Sequence, residues 1–277
     1  MNYADYIRRI EIDSLWSGRK HIVWDLDRHT NILSGVNGVG KSTILNKVIQ
    51  PLLMVKGREG VTLEEQLENS GVKLTTDKEG AEALRFDVIR SFDRPLISSE
   101  LATRMDFKIV SELDLQLFNL QRRYLDYQVN LGNRIIEILQ SGKDDAALTA
   151  QKMSESKKLF HDIVDRLFAD TRKTIIRTEN EIRFLQMGET LMPYQLSSGE
   201  KQMLVILLTV LVEDQMPYVL FMDEPEVSLH IDWQKQLLDI IRQLNPNVQV
   251  ILTTHSPAVI MDGWMDKVTE VSEIEVA

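Results

Sequence analysis

An α/β fold with a mostly parallel core sheet is what this sequence predicts, and three patterns predict it. Short apolar runs of strand character alternate with helical periodicities along the chain, the order that builds a parallel sheet flanked by helices. A glycine-rich turn, Gly35 to Ser42, sits directly between a strand pattern and a helix pattern. A long apolar seam between Leu113 and Ile138 adds a helical subdomain.

The N-terminal lobe opens with strand patterns, expected to pair antiparallel. Ile10, Ile12 and Leu15 alternate with polar residues, followed by His21–Trp24 and Asn31–Leu33. After the glycine turn, Ile44, Leu45, Val48 and Ile49 make the apolar stripe of a helix. Pro51 lacks an N–H and is expected to limit how that helix continues. Residues 56–82 carry no strong pattern, and Leu84–Phe92 alternates again as a strand. Leu113, Leu117, Leu120, Tyr124, Tyr127, Leu131, Ile135 and Ile138 then recur at spacings of 4, 3, 4, 3, 4, 4 and 3, a helix over 111–140 weakened near Gly132. A second helical pattern covers 146–169, and SGKDD joins the two as a short hairpin. Roughly 30 residues of helix reach only about 45 Å, which excludes a long coiled-coil arm. Beyond Arg172, Tyr218–Met222 reads as a strand, Ser228–Leu244 as a helix, Val248–Thr253 as a strand and Val268–Val271 as a final short strand. The expected organisation is an N-terminal lobe (1–95), a helical hairpin insertion (96–172) and a C-terminal lobe (173–277), the first and last forming one domain.

Composition narrows the class. The 277 residues contain no cysteine, which excludes a disulfide scaffold, a thiolate metal site and cysteine catalysis. The apolar run Met203–Val212 is about half a bilayer span and reads as a buried helix. Charges inside the first ten residues leave no secretory core, so a soluble, cytoplasmic protein is expected. The net charge of −10 is uneven: residues 213–277 hold 12 acids and 3 bases, leaving 30 and 29 for the rest. An acidic partner or nucleic acid on the helical side is therefore not excluded by charge.

The glycine turn has the pattern G-x-x-x-x-G-K-S, with Gly35, Asn37, Gly38, Gly40, Lys41, Ser42 and Thr43 as candidate nucleotide-binding residues. Glycines let the backbone wrap phosphate oxygens and present N–H groups to them, and the following helix offers its positive end. Lys41 would bridge the β- and γ-phosphates, and the Ser42 hydroxyl would ligate Mg²⁺. The run Tyr218–Asp223 is a buried strand with carboxylates at its carboxyl end, where open α/β sheets bind ligands. Asp223 would hold Mg²⁺, and Glu224 would polarise the attacking water. Such strand-end acids are, by themselves, as easily caps of the next helix. His255 follows another apolar strand; a lone histidine is usually structural, but next to the Asp223 strand it is a candidate contact to the γ-phosphate. Leu196-Ser-Ser-Gly-Glu200 precedes an apolar helix and would pass for an ordinary helix cap in isolation.

The ordered set of phosphate loop, LSSGE, DEP and strand-His resembles the ABC-type ATPases, whose signature motif LSSGE matches. The resemblance implies an ABC-type P-loop ATPase head using ATP and Mg²⁺, with catalytic Glu224 and His255 and a Mg²⁺ site at Ser42 and Asp223. It implies that Ser198 and Gly199 contact the γ-phosphate held by an opposite protomer, giving a homodimer or higher oligomer through an ATP sandwich. Val227–His230 occupies the family's D-loop position, with His230 where transporters usually carry Asp. The form DEPE-x-SLH followed by THSP looks like the SMC/RecF-like and overcoming-lysogenisation-defect-like branch. Two family features lack an assignment. The first glutamine after the strand at 84–92 is Gln116, with Gln121 and Gln128 behind it, none in a good Q-loop context. Trp16, Trp24 and Tyr3 are the candidates to stack on adenine, though aromatics in such strands are more often core. The carboxylates at 262, 266, 270, 273 and 275 lie on a short tail without a supporting fold, so no nuclease site is expected. The chain resembles compact ATPase subunits of anti-phage systems, the PARIS type among them. That implies a slow ATPase that controls a separate effector such as a nuclease toxin, without a membrane partner. A RecF-like DNA-repair ATPase is the alternative, and a transporter subunit a further one.

Overall fold

Five parallel strands form the centre: β13 (Val268–Glu270), β4 (Thr30–Ser34), β12 (Val248–Thr253), β11 (Tyr218–Asp223) and β7 (Phe86–Arg90), in that spatial order. This is the fold expected from the sequence. The structure is a computed structural model that describes residues 2–15, 20–55, 60–90, 95–96, 109–261 and 263–276. Every residue of β12, and all of β11 up to Met222, is buried, as strands covered on both faces must be. Alternation along β11 divides its side chains between two cores: Val219 and Phe221 face one, Tyr218, Leu220 and Met222 the other.

The first core lies under α1 (Lys41–Val55) and a four-stranded antiparallel sheet. In that sheet β2 (Ile7–Leu15) runs between β3 (Lys20–Asp25) and β5 (Val72–Thr76), and β14 (Glu275–Val276) pairs with β3. Helix α1 continues through Pro51 to Val55, because burial of Leu52 and Val55 holds its last turn on the core. Residues 56–82, patternless in sequence, contribute α2 (Leu63–Leu67) and β5. Both are too short to carry a period; a Thr62–Glu65 capping box and two buried residues, Val72 and Leu74, fix them. Short β1 (Tyr3–Ala4) and β6 (Ala83–Leu84) pair parallel beside them. Val268–Glu270 joins the central sheet as the expected final strand. The acidic tail is not unsupported as expected: Val271 and Ile274 are buried, and Glu275 pairs with Lys20.

The second core holds α3 (Glu112–Gln140), α4 (Ala146–Leu167), α5 (Ser198–Val212) and α6 (Ile231–Leu244). A Ser111–Asp114 capping box starts α3, and Gly132 does not interrupt it. Its seam is buried from Leu113 to Leu131, while Ile135 and Ile138 are only partly covered. Helix α5 is apolar almost all round and accordingly buried from Gln202 to Leu211. A small antiparallel sheet, β8 (Lys173–Ile175), β9 (Phe184–Gln186) and β10 (Glu189–Leu191), leads into it. Helix α6 starts at Ile231 instead of Ser228, because His230 adopts the cap position and its Nδ1 accepts from Asp232 N–H. Among the described residues no helix is long and apolar enough to cross a membrane.

Where sheet, hairpin and α5 meet, Arg123 donates to both oxygens of Asp87 at 3.1 and 3.0 Å and also pairs with Glu213. One guanidinium thus serves two carboxylates. Burial, reinforced by the neighbouring Asp87 charge, pushes the Glu213 carboxyl up to about 7. The folded protein therefore holds this proton more tightly than the unfolded chain. The associated stability is present at low pH and is lost as pH rises from about 5 through about 7. Glu213→Gln, which mimics the protonated form, is expected to raise the melting temperature at pH 8 and flatten that decline. Melting curves across this window check it, and a variant that melts lower than wild type at pH 8 would refute it.

Candidate functional site

The parallel register brings three distant segments level at the carboxyl end of the sheet. Leu33 pairs with Thr253, and Thr253 with Asp223, so the turn after β4, the segment after β12 and the acids ending β11 emerge side by side. The turn after β4 runs through Gly35, Gly38 and Gly40, all at positive φ (149°, 82° and 105°). A side chain is disfavoured there, so this backbone path is open to glycine. Asn37, Gly38 and Thr43 are exposed around the turn, whereas Lys41 is buried.

The Lys41 ammonium donates to Gly35 O at 2.9 Å and Val36 O at 3.3 Å, and lies 3.2 Å from His255 Nδ1. Burial lowers its pKa, opposed by the nearby charges of Glu224, Asp223 and Glu226. Lysine can only donate, so Nδ1 of His255 accepts, and the Nε2–H donates to Glu224 Oε1 at 2.8 Å. The Ser42 hydroxyl donates to Asp223 Oδ1 at 2.8 Å, and the Thr253 hydroxyl donates to the same oxygen at 2.6 Å. Glu224 sits at φ 50°, a costly conformation for a side-chain-bearing residue. It is held there because its N–H donates to Thr253 O and Oγ1, both at 3.1 Å.

Lys41, Ser42, Asp223, Glu224 and His255 thus converge through direct contacts. Ser42 and Asp223 together offer two hard oxygen donors, a set that suits Mg²⁺ completed by water and phosphate oxygens. No cluster of three or more His, Asp or Glu side chains able to hold a metal occurs among the described residues.

Ser198 and Gly199 lie elsewhere. They open α5, where Ser197 and Glu200 form a capping box and Ser198 is exposed. Gly199 packs on the loop after β11: a Cβ there would collide with Ser228 O. The first turn of α5 is tied to α3 and to β8 by two largely buried ion pairs, Lys201–Asp114 and Lys173–Glu200, each 2.8 Å. Removing one partner of such a pair costs about 3–5 kcal/mol.

Other expected residues fall away from the site. Trp24 is a fully buried core residue under the antiparallel sheet and cannot stack on a ligand. The Tyr3 ring stacks against Arg85 at 4.4 Å, at a cavity by the start of β7. Trp16 lies outside the described residues. Gln121 exchanges hydrogen bonds with the Ile182 backbone and Gln128 donates to Asn180 O, so both brace α3 against the segment before β9. Gln116 is a half-buried residue of the same helix. Three residues that sequence reasoning left without a role belong to the site: Thr253, Glu226 and Gln234. Glu226 stands inside the quoted motif DEPE and Thr253 ends the expected strand just before THSP; Gln234 on α6 carried no signal.

The fold and this constellation define a P-loop ATPase domain. The chain belongs to the family described as AAA domain, putative AbiEii toxin, Type IV TA system, whose model matches residues 83–262. Among curated proteins it is similar to the retron Vc95 probable ATPase of Vibrio cholerae serotype O1 biovar El Tor, 26% identical over 170 residues, which is 54% of this chain and 32% of the relative. It is also similar to the dipeptide transport ATP-binding protein DppD of Bacillus subtilis (strain 168), 31% identical over 93 residues, 32% of this chain and 27% of that protein. The matches therefore span about a third or less of these relatives' length. Among solved structures, an Smc head bound to the C-winged helix domain of ScpA superposes with a TM-score of 0.51 at 16% identity, covering 93% of this chain and 91% of that one. That likeness is one of fold.

Thr253 steadies both acids at once. Thr253→Val keeps the shape but removes the hydroxyl, and is expected to weaken Mg²⁺-dependent nucleotide binding about threefold to tenfold, about the net worth of one ordinary hydrogen bond. Titration of a fluorescent ATP analogue with and without Mg²⁺ checks this; unchanged affinity in both would refute it.

Proposed function

We propose that the chain binds and hydrolyses ATP as an ABC-type ATPase, and that nucleotide drives its dimerisation to control a separate effector in anti-phage defence. The observation that carries the reading is the convergence of Lys41, Ser42, Asp223, Glu224 and His255, with Ser198 and Gly199 presented away from it at the start of α5. A signature surface that does not complete its own site is what an ATP sandwich between two copies needs. The similarity to a retron ATPase and the toxin–antitoxin wording of the family description support the defence setting.

In this reading Gly35, Asn37, Gly38, Gly40 and Thr43 surround the phosphates, and Lys41 leaves the Gly35 and Val36 carbonyls to meet the β- and γ-phosphates. Ser42 and Asp223 hold Mg²⁺, which when bound neutralises phosphate charge. Glu224 takes up a proton from the attacking water, and the His255 hydrogen bond at 2.8 Å orients its carboxylate. Residues 1–95 with 173–277 make the ATPase unit. The 96–172 insertion, linked to the signature helix by Lys201–Asp114, is the element through which an effector would be felt.

Two variants test the reading. Lys41→Ala is expected to abolish ATP binding, measured by equilibrium dialysis; retained binding would remove the phosphate-loop assignment. Glu224→Gln is expected to bind ATP, stop turnover and double its mass on adding ATP and Mg²⁺. Light scattering showing the same mass with and without nucleotide would sink the sandwich.

A further inference from the structure

Glu226 follows the two site acids and is nine-tenths buried, at 8% exposure. Its Oε1 accepts three hydrogen bonds from the segment carrying His255: the Thr254 hydroxyl at 2.5 Å, the His255 N–H at 2.9 Å and the Ser256 N–H at 3.2 Å. Its second oxygen, Oε2, is buried with no partner among the described residues. A desolvated carboxylate is costly unless its charge is well bonded, so this residue is tied to the three donors that face Oε1. They are the backbone and hydroxyl groups that set where the imidazole stands.

A second strut runs parallel. Gln234 on α6 donates to Leu229 O at 2.9 Å and accepts from the Ser256 hydroxyl at 2.6 Å. The loop after β11 is therefore joined to the His255 segment at two points. That same loop carries Ser228, against whose carbonyl Gly199 is packed. A continuous path of contacts links the signature residue, the loop and the histidine.

We propose that Glu226 is a positioning residue that fixes His255 against Glu224 and Lys41, coupling the histidine to the loop on which the signature glycine rests. The proposal rests on the ATPase reading above. Misplacing a reacting group by about 1 Å can cost about a hundredfold in rate. Glu226→Ala frees the loop and is expected to lower kcat by roughly tenfold to a hundredfold while ATP affinity changes less than about twofold. Glu226→Gln retains an accepting oxygen of the same reach and is expected to restore most of the turnover. Glu226→Asp withdraws that oxygen by one methylene and is expected to resemble Ala.

The experiment measures steady-state hydrolysis and binding of a fluorescent ATP analogue for the full chain and these variants, with folding checked by circular dichroism. Low kcat with preserved affinity in Glu226→Asp, rescued in Glu226→Gln, supports the proposal even where the Ala variant fails to fold. Folded Ala or Asp variants with wild-type kcat overturn it, as does an equal loss of affinity and turnover in all three. Wild-type protein that binds ATP but never turns it over counts instead against the hydrolytic reading itself.

Discussion

The register of three parallel strands is the constraint on which the rest depends. Leu33, Thr253 and Asp223 stand in one row across β4, β12 and β11. Slip any of these pairings and the phosphate loop, the histidine segment and the acids no longer emerge level. A shift by one residue would also reverse which side chains enter each core. The two cores therefore protect the site: burial of Val219 and Phe221 on one face and Leu220 and Met222 on the other leaves β11 a single acceptable register.

The site built on that row is densely self-bonded. Asp223 accepts from Ser42 and Thr253, Glu224 is held at a strained φ by Thr253, and His255 lies between Lys41 and Glu224. Each group has a defined partner, so a ligand entering here must exchange bonds instead of finding loose side chains. Preorganisation of this kind lowers the cost of aligning reacting groups. The helical side is coupled to the same framework through buried charge: Lys201–Asp114 and Lys173–Glu200 hold the first turn of α5, and Arg123 joins α3 to β7 and to the end of α5.

Much of this was legible in the sequence, for a physical reason: strong local signals act locally. The glycine turn, the continuous apolar runs of β11 and β12 and the 3-4 spacing of α3 each state their own conformation. The misreadings fall where packing overrides local preference. Helix α1 passes through Pro51, β5 and α2 arise in a patternless stretch, and the last residues, expected to lack a supporting fold, pair with β3. Trp24 is sealed in the core, as aromatics in such strands more often are.

By itself, the sequence determined the strand–turn–helix of the phosphate loop, the buried strand ending in Asp223 and Glu224, and the helical hairpin, because each is fixed by residue type and spacing over a short span. The tertiary structure decided what those pieces do to one another. Only the sheet register could place Thr253 on Asp223, and only the packed loop after β11 could aim Glu226 at the backbone of His255. Contacts between residues roughly thirty to two hundred positions apart leave no local pattern to read, since they depend on which strands become neighbours.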